Sequence, residues 1–344
     1  MEIRMKKIIY TLLLCVAALV LLTMCTACAN EKEPCLDFVS NGDGTCYVSG
    51  IGTVTQADVV IPETSPEGDR VTGIGNYAFG RCAGITTVTV PEGVTYVGNY
   101  AFYYCSDLVG VTLPDTVQSI GHGAFYNCKS LTTLAIPSQV ISVQEDTFYG
   151  CNFLTYVTIP NSVTSIDSNA FYGCNSLRDL ELPEQLATIG KGAFYGCHSL
   201  ARLNVPETLI SIGGDAFYQC EGLKEIHIKN LSAWCAIDFY SKSANPLHIK
   251  GGDLYLSGQK VEHLIIPEGV SEISAHAFSG CSSLTSVSLP KDLTAVGAGA
   301  FNACTAITDV YFAATKEEVK SIETGSGNEP LTEAALHYAD SQEN

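Results

Sequence analysis

A 23-residue repeat constrains the fold of this chain more than any other feature of its sequence. Phenylalanine recurs at this spacing over six consecutive intervals, and the pattern resumes towards the C-terminus. A coil of 23 residues is too short to enclose a hydrophobic core by itself, so neighbouring coils must stack and share one. The repeated residues are Phe79, Phe102, Phe125, Phe148, Phe171, Phe194 and Phe217, followed by Phe278 and Phe301.

Each unit contains one short apolar segment that ends at a proline. In the unit that begins at Cys128, the apolar residues are Leu131, Leu134 and Ile136, and Pro137 follows them. Proline has no N–H for a sheet hydrogen bond, so the strand must end there. The pattern predicts a β-rich α/β solenoid with one parallel sheet on one face and with turns or short helical pieces elsewhere.

The units resemble the BspA-like leucine-rich repeats of bacterial and protist surface proteins. The resemblance implies a leucine-rich repeat solenoid whose open sheet edge is capped by an N-terminal hairpin. Two longer steps in the repeat predict extra segments that each form a short helix, the second with a capping-box pattern from Thr315 to Glu318. The expected segments are the capping hairpin at 35–59, the solenoid at 60–338 with an elaborated coil at 229–262 and a C-terminal cap at 313–338, and a frayed tail at 339–344.

The N-terminal segment is typical of a secretory signal. Basic residues precede an uncharged, mostly apolar stretch at 8–24, and small residues follow it. The segment also resembles a bacterial lipoprotein signal, in which the cysteine after the cleavage site carries a lipid. This resemblance implies a signal peptide at 1–27, lipidation of Cys28 and a linker at 28–34.

Three alternatives remain open for this terminus. Cys25 is a second candidate for lipidation, and the signal could instead be cleaved to give a secreted protein or be retained as a membrane anchor. Every alternative exports the repeat domain. The expected location is the cell surface, with the membrane contacted only through the N-terminal anchor.

The charge of the chain argues against nucleic acid as a partner. Its 18 Lys and Arg residues face 36 Asp and Glu residues, which gives a formal net charge of −18. Such a chain repels a phosphate backbone, and outside the N-terminus it has no run of basic residues to compensate.

A cysteine follows each repeat phenylalanine by three residues. A metal ion needs ligands that converge on one point, whereas a ladder places its thiols along a line, so we expect these cysteines to pack in the core. Cys35 and Cys46 lie outside the ladder and could form a disulfide. The ladder consists of Cys82, Cys105, Cys128, Cys151, Cys174, Cys197, Cys220, Cys281 and Cys304.

A tyrosine directly follows six of the repeat phenylalanines, which predicts aligned rings along one edge of the solenoid. Two interpretations remain open: the rings form a recognition stripe for a sugar, peptide or protein, or they stack on one another. We call this row the Tyr edge, and it consists of Tyr103, Tyr126, Tyr149, Tyr172, Tyr195 and Tyr218.

The outward positions of the predicted strands change from threonine-rich to charged along the solenoid. Because the open face of a solenoid is its usual binding surface, the charged coils are the leading candidate for ligand contact. An ordinary solvated face is the alternative. The candidate residues are Tyr156, Arg178, Asp179, Glu181, Arg202, Asn204, Lys224, Glu225 and His227.

No motif in the sequence points to catalysis. None of the seven histidines lies in a hydrolase or metalloprotease context, and we expect no catalytic residue, metal or cofactor. The expected function is a non-catalytic, adhesin-like surface protein that binds a host or bacterial surface protein or a glycan. A passive surface scaffold or spacer without a dedicated ligand is the alternative.

Overall fold

The structure, a computed structural model, describes residues 35–248 and 252–342. The predicted signal peptide at 1–27, the candidate lipidation sites Cys28 and Cys25 and the linker at 28–34 therefore lie outside the described residues. The part from Leu36 onwards forms one compact unit, a solenoid of stacked coils. The predicted fold class is confirmed, because parallel strands pair from one coil to the next at a step of 23 residues.

The longer of two strand ladders corresponds to the predicted sheet. Within each strand an inward residue alternates with outward ones; Leu134 is buried whereas Thr133 and Ala135 are exposed. We call the outward side of this ladder the strand face. Its strands are Asp58–Val60, Thr87–Thr89, Gly110–Thr112, Thr133–Ala135, Tyr156–Thr158, Arg202–Asn204, Glu225–Ile228, Asp253–Leu256, His263–Ile265, Ser286–Leu289, Asp309–Phe312 and Ala335–His337.

A second ladder, which the sequence analysis did not predict, runs along another side of the coils. Ser142 and Val143 pair in parallel with Ser165 and Ile166 of the next coil. The two-residue strands from Tyr96–Val97 to Ala295–Val296 each offer only one buried residue, too short a pattern to recognise, but their backbone groups still need partners and find them in the neighbouring coil. These strands are Arg70–Ile74, Tyr96–Val97, Ser119–Ile120, Ser142–Val143, Ser165–Ile166, Thr188–Ile189, Ser211–Ile212, Asp238–Phe239, Glu272–Ile273, Ala295–Val296 and Glu323–Thr324.

An antiparallel hairpin precedes the first coil. It consists of the strands Asp37–Ser40 and Thr45–Gly50. The second strand pairs in parallel with Arg70–Ile74, so the hairpin extends the second ladder and not the strand-face ladder that it was expected to cap. Cys46 is buried, and its thiol donates to the carbonyl oxygen of Asp69 at 3.5 Å, so the disulfide with Cys35 is not formed in this structure.

The repeat phenylalanines form a stacked column in the core. From Phe79 to Phe217, neighbouring ring centroids lie 5.1–5.5 Å apart. The ladder cysteines pack beside them, and the Cys128 thiol donates to the carbonyl oxygen of Phe102 in the preceding coil at 3.0 Å. Burial raises the pKa of the Cys105 thiol to about 12, which keeps it protonated at neutral pH.

The elaborated coil contains a short helix, Leu231–Cys235, whose N-terminus is capped by the side chain of Asn230. Trp234 of this helix is buried, and its Nε1 donates to the carbonyl oxygen of Ala277 at 2.9 Å. Two 3₁₀ turns and an antiparallel strand complete the coil. These elements are Lys242–Ala244, Pro246–His248 and Gln259–Lys260.

The C-terminal segment repeats this design with the helices Lys316–Val319 and Glu329–Thr332. The predicted capping box between Thr315 and Glu318 is present. The predicted frayed tail is wrong at its start: Ala339–Gln342 form a 3₁₀ turn, held because Ala339 N–H donates to the carbonyl oxygen of Ala314 at 3.1 Å.

Candidate functional site

Adjacent strands of the long ladder bring part of the predicted charged patch together. Arg202 lies opposite Glu225, and Asn204 lies opposite His227. Because these positions are the first and third residues of their strands, all four side chains lie on the strand face.

Glu225 is the centre of a charged network. Its Oε2 accepts a hydrogen bond from Arg202 Nε at 2.7 Å and forms an ion pair with Arg202 Nη2 at 2.6 Å, and His227 Nε2 lies 3.0 Å from the same oxygen. The hydrogen bonds to His227 and Arg202 hold the pKa of Glu225 below its usual range. The carboxylate therefore stays ionised and fixes the orientation of both neighbours.

Tyr255, which was not among the candidate residues predicted from the sequence, extends this network. Its ring stacks on His227 with centroids 4.6 Å apart, and it lies opposite His227 in the ladder. The repeat spacing breaks between Cys220 and Cys281, so the sequence could not show that Tyr255 returns to the strand face. The only signal was the short apolar alternation around Leu254.

The remaining candidates are arranged differently. Arg178, Asp179 and Glu181 are exposed, but their coil contributes no regular strand to the strand-face ladder among the described residues, only one backbone bridge from Asp179 to Tyr156. Tyr156 is 43% exposed, and Lys224 is exposed beside Glu225. The strand face thus carries an ordered network at Arg202, Glu225, His227 and Tyr255, bordered by an irregular charged coil.

Removing the Arg202 guanidinium is expected to raise the pKa of Glu225 towards its ordinary value. In the Arg202→Ala variant the carboxylate loses one short hydrogen bond and an ion pair with an adjacent positive charge. Carbon-13 NMR of the glutamate side chains across an acid titration measures the change. Lys229→Ala is the matched control, since Lys229 pairs with Glu184 instead.

The same variant changes how stability depends on pH. Because the pKa of Glu225 is lowered in the folded state, its contribution to stability is present at neutral pH and is lost as the pH falls through the folded-state pKa. Arg202→Ala should reduce this acid-induced loss. An unaltered Glu225 titration in Arg202→Ala would contradict the network.

The Tyr edge forms a continuous stack along its middle. The ring centroids of Tyr126, Tyr149, Tyr172 and Tyr195 follow one another at 4.6, 4.6 and 4.5 Å, and their planes are nearly parallel. Ring faces therefore contact each other, as in the stacking interpretation. Ligand binding along this edge stays a prediction.

Metal-binding clusters and membrane-spanning helices are both absent from the described residues. In that part of the chain, no group of three or more His, Cys, Asp or Glu side chains converges on a point where a metal ion could bind. None of the helices within the described ranges has the length and apolar character needed to cross a membrane.

The stacked coils and the ordered strand face define a leucine-rich repeat solenoid. A family model of the BspA-type leucine-rich repeat region matches residues 72–175, 142–243 and 252–328, and the chain belongs to this family. No curated protein matches the sequence.

One solved structure shows the same fold, and two others are similar to this chain. A leucine-rich repeat protein from Bacteroides ovatus ATCC 8483 is 24% identical, with a TM-score of 0.51 over 91% of this chain and 77% of that one. A leucine-rich cell surface protein from Faecalibacterium prausnitzii A2-165 is 23% identical, with a TM-score of 0.41 over 88% of this chain and 99% of that one. The pneumococcal vaccine antigen PcpA is 16% identical, with a TM-score of 0.36 over 90% of this chain and 98% of that one.

Proposed function

We propose that this protein is a non-catalytic binding protein of the bacterial cell surface, and that it recognises a protein partner through the strand face. The observation that carries the proposal is the network of Arg202, Glu225, His227 and Tyr255. It places a cation, an anion and a stacked aromatic pair on a face that is rich in threonine in the early coils.

The charge of this face favours a polypeptide partner. The chain is strongly acidic, yet three of its 18 basic residues, Arg178, Arg202 and Lys224, lie within three consecutive coils of the patch. Acidic residues alternate with them, so the surface presents both signs of charge side by side. A partner with complementary charges would gain orientation and specificity from this pattern, and Arg and Tyr are the residues that most often dominate binding energy.

A capture experiment with the full chain tests the proposal. The test variant combines Tyr156→Ala, Arg178→Ala and Arg202→Ala. The control combines Tyr240→Ala, Lys191→Ala and Lys320→Ala, which removes the same charge and one exposed tyrosine elsewhere. Surface-protein extracts of host cells and neighbouring bacteria supply candidates, and each candidate identified is then purified and titrated directly.

The wild type and the control are expected to bind the same purified partner, with binding by the test variant at least about tenfold weaker. Equal binding by all three proteins would remove the strand face as the site. If no purified candidate binds the wild type, the passive scaffold becomes the better description.

We also propose that a lipid on Cys28 anchors the exported chain to the membrane. The support is the N-terminal segment, whose basic start, apolar stretch and small residues before Cys28 resemble a lipoprotein signal. A lipid anchor would hold the solenoid outside the membrane and leave the strand face open to partners.

Cys28→Ala is expected to move the protein from the membrane fraction to the soluble fraction of the producing cell, because the lipid can no longer be attached. Cell fractionation followed by immunoblotting measures the distribution. Cys25→Ala is the matched control and should leave the protein with the membrane. Retention of Cys28→Ala with release of Cys25→Ala would place the lipid on Cys25, and retention of both would indicate an uncleaved anchor.

A further inference from the structure

A cleft with a volume of ≈ 510 Å³ lies on the turns that carry Phe79, Phe102, Phe125 and Phe148. This volume falls within the range of about 300–1,000 Å³ that is usual for small-ligand sites. The cleft shares no residue with the strand face. Its aromatic walls are Tyr77, Tyr100, Tyr103 and Tyr126, and its polar groups are Arg81 and Asp146.

The walls form an aromatic corner. Tyr77 and Tyr100 stack with centroids 5.0 Å apart, and Tyr103 stands perpendicular to Tyr100 at 5.4 Å. Two ring surfaces at a right angle can contact the face and the edge of one flat ligand at the same time. Tyr77 is 56% exposed, so this apolar surface remains accessible to solvent.

Two glycines create the space for this corner. Gly80 occupies the position at which the next six coils carry the tyrosines of the Tyr edge, so the row stops at Tyr103 and leaves an opening. Gly123 lies beneath Tyr100, where a Cβ atom would overlap the Tyr100 ring. The cleft therefore depends on the absence of a tyrosine at position 80 and of any side chain at position 123.

The large side chains of the corner occupy backbone positions that disfavour them. Tyr77, Arg81 and Tyr100 have φ angles of 57°, 62° and 55°, in the left-handed region. Bulky residues in this conformation are uncommon, and they concentrate at functional sites. The later coils carry mainly residues that tolerate this region at the same positions: Gly123, Asn127, Asp146, Gly150, Asn169, Gly173, Gly192, Gly196, Asp215 and Gln219.

The polar groups of the cleft have opposite hydrogen-bonding needs. The Arg81 guanidinium lies 5.8 Å from the centroid of the Tyr103 ring, and it carries only donors. Oδ1 of Asp146 is buried at the other end without a close donor among the described residues, while the same carboxylate interacts with the Asn169 side chain and its Oδ2 lies 3.9 Å from His122 Nε2. A buried acceptor without a donor is uncommon and points to a missing partner.

We infer that this cleft binds the ring of a neutral carbohydrate. One face of a pyranose ring carries C–H groups that can lie on the electron-rich face of a tyrosine. Its hydroxyl groups both donate and accept, so one hydroxyl can donate to the carboxylate of Asp146, whose side chain is 18% exposed, while another oxygen accepts from Arg81. An ion of a single charge sign satisfies only one end of the cleft.

Two other ligand classes fit less well. An ammonium group would meet the positive charge of Arg81, which already occupies a cation–π position at Tyr103. An extended peptide usually binds by pairing with unused backbone groups. Here the N–H groups of Tyr77, Phe79 and Arg81 already donate to the next coil, at 3.0, 2.8 and 2.6 Å.

Titration of the full chain with neutral oligosaccharides tests this inference. The probes are N-acetylchitohexaose, cellohexaose, xylohexaose and mannohexaose, and the protein is kept in a detergent without sugar head groups. Gly80→Tyr restores the missing tyrosine and should close the cleft, while Asp146→Asn removes the charged acceptor. The matched control is Asp215→Asn, which makes the same change at the same repeat position three coils further on.

At least one probe is expected to bind the wild type and the Asp215→Asn control, as measured by calorimetry. Gly80→Tyr should abolish this binding, and Asp146→Asn should weaken it at least about tenfold. Circular dichroism of both variants verifies that they fold. The inference is overturned if no oligosaccharide probe binds at millimolar concentration, or if folded Gly80→Tyr binds the probe as the wild type does.

Discussion

Replacing Phe171 by alanine is expected to cost about 3–5 kcal/mol of unfolding free energy. The Phe171 ring is fully buried and lies between Phe148 at 5.1 Å and Phe194 at 5.3 Å. Its removal therefore deletes two stacking contacts and leaves a cavity in the middle of the column. The surrounding coils cannot collapse into this cavity, because backbone hydrogen bonds to both neighbouring coils fix their positions.

Phe153→Ala is the matched control, since Phe153 lies in the same 23-residue unit but is 62% exposed. This substitution should change the unfolding free energy by no more than about 0.5 kcal/mol. Urea unfolding followed by circular dichroism measures both variants. Similar losses for Phe171→Ala and Phe153→Ala would contradict the stacked core.

Replacing Asn245 by alanine is expected to cost about 3 kcal/mol, although the change removes no apolar surface. Asn245 is 1% exposed in the elaborated coil. Its Nδ2 donates to the carbonyl oxygens of His276 at 2.6 Å and Ala277 at 2.8 Å, and its Oδ1 accepts from the Leu247 N–H at 2.8 Å. Alanine would leave these buried backbone groups without their partner and would uncouple the elaborated coil from the coil after it.

Asn204→Ala is the control for this variant, because Asn204 is exposed on the strand face. Urea unfolding measures the stability of both variants, and amide hydrogen exchange at Leu247 reports the local effect. Exchange at this amide should accelerate in Asn245→Ala only. A loss below about 1 kcal/mol with unchanged exchange would show that the three hydrogen bonds are not needed.

The C-terminal cap also contains a buried asparagine whose side-chain amide forms hydrogen bonds with backbone groups. Asn328 is buried, its Nδ2 donates to the carbonyl oxygens of Gly297 and Gly325, and its Oδ1 accepts from the Phe301 N–H. The sequence shows that both segments contain an asparagine shortly before a Pro-Leu pair. It does not show that the amide joins one coil to the next, because the acceptors lie 31 or 32 positions away for Asn245 and are backbone groups that no pattern identifies.

Much of the strand face could be predicted because its residues keep the repeat phase. Arg202 and Glu225 are 23 positions apart, so a parallel ladder must place them side by side. Tyr255 could not be placed, since the elaborated coil changes the spacing before it. The irregular coil at Arg178 was also missed, since consecutive outward charges do not reveal whether a strand forms.

The sequence by itself determined the solenoid, its 23-residue period, the buried phenylalanine and cysteine columns and the capping box at Thr315, because each depends on local pattern or exact repetition. Only the tertiary structure decided the second ladder, the side to which the hairpin adds, and the cleft at Tyr77 and Tyr100. These features depend on how one coil lies on the next. The packing decides which backbone groups of neighbouring coils pair, and it decides where a small residue such as Gly80 leaves space. Such relations join residues whose types differ from coil to coil, so no repeat in the sequence records them.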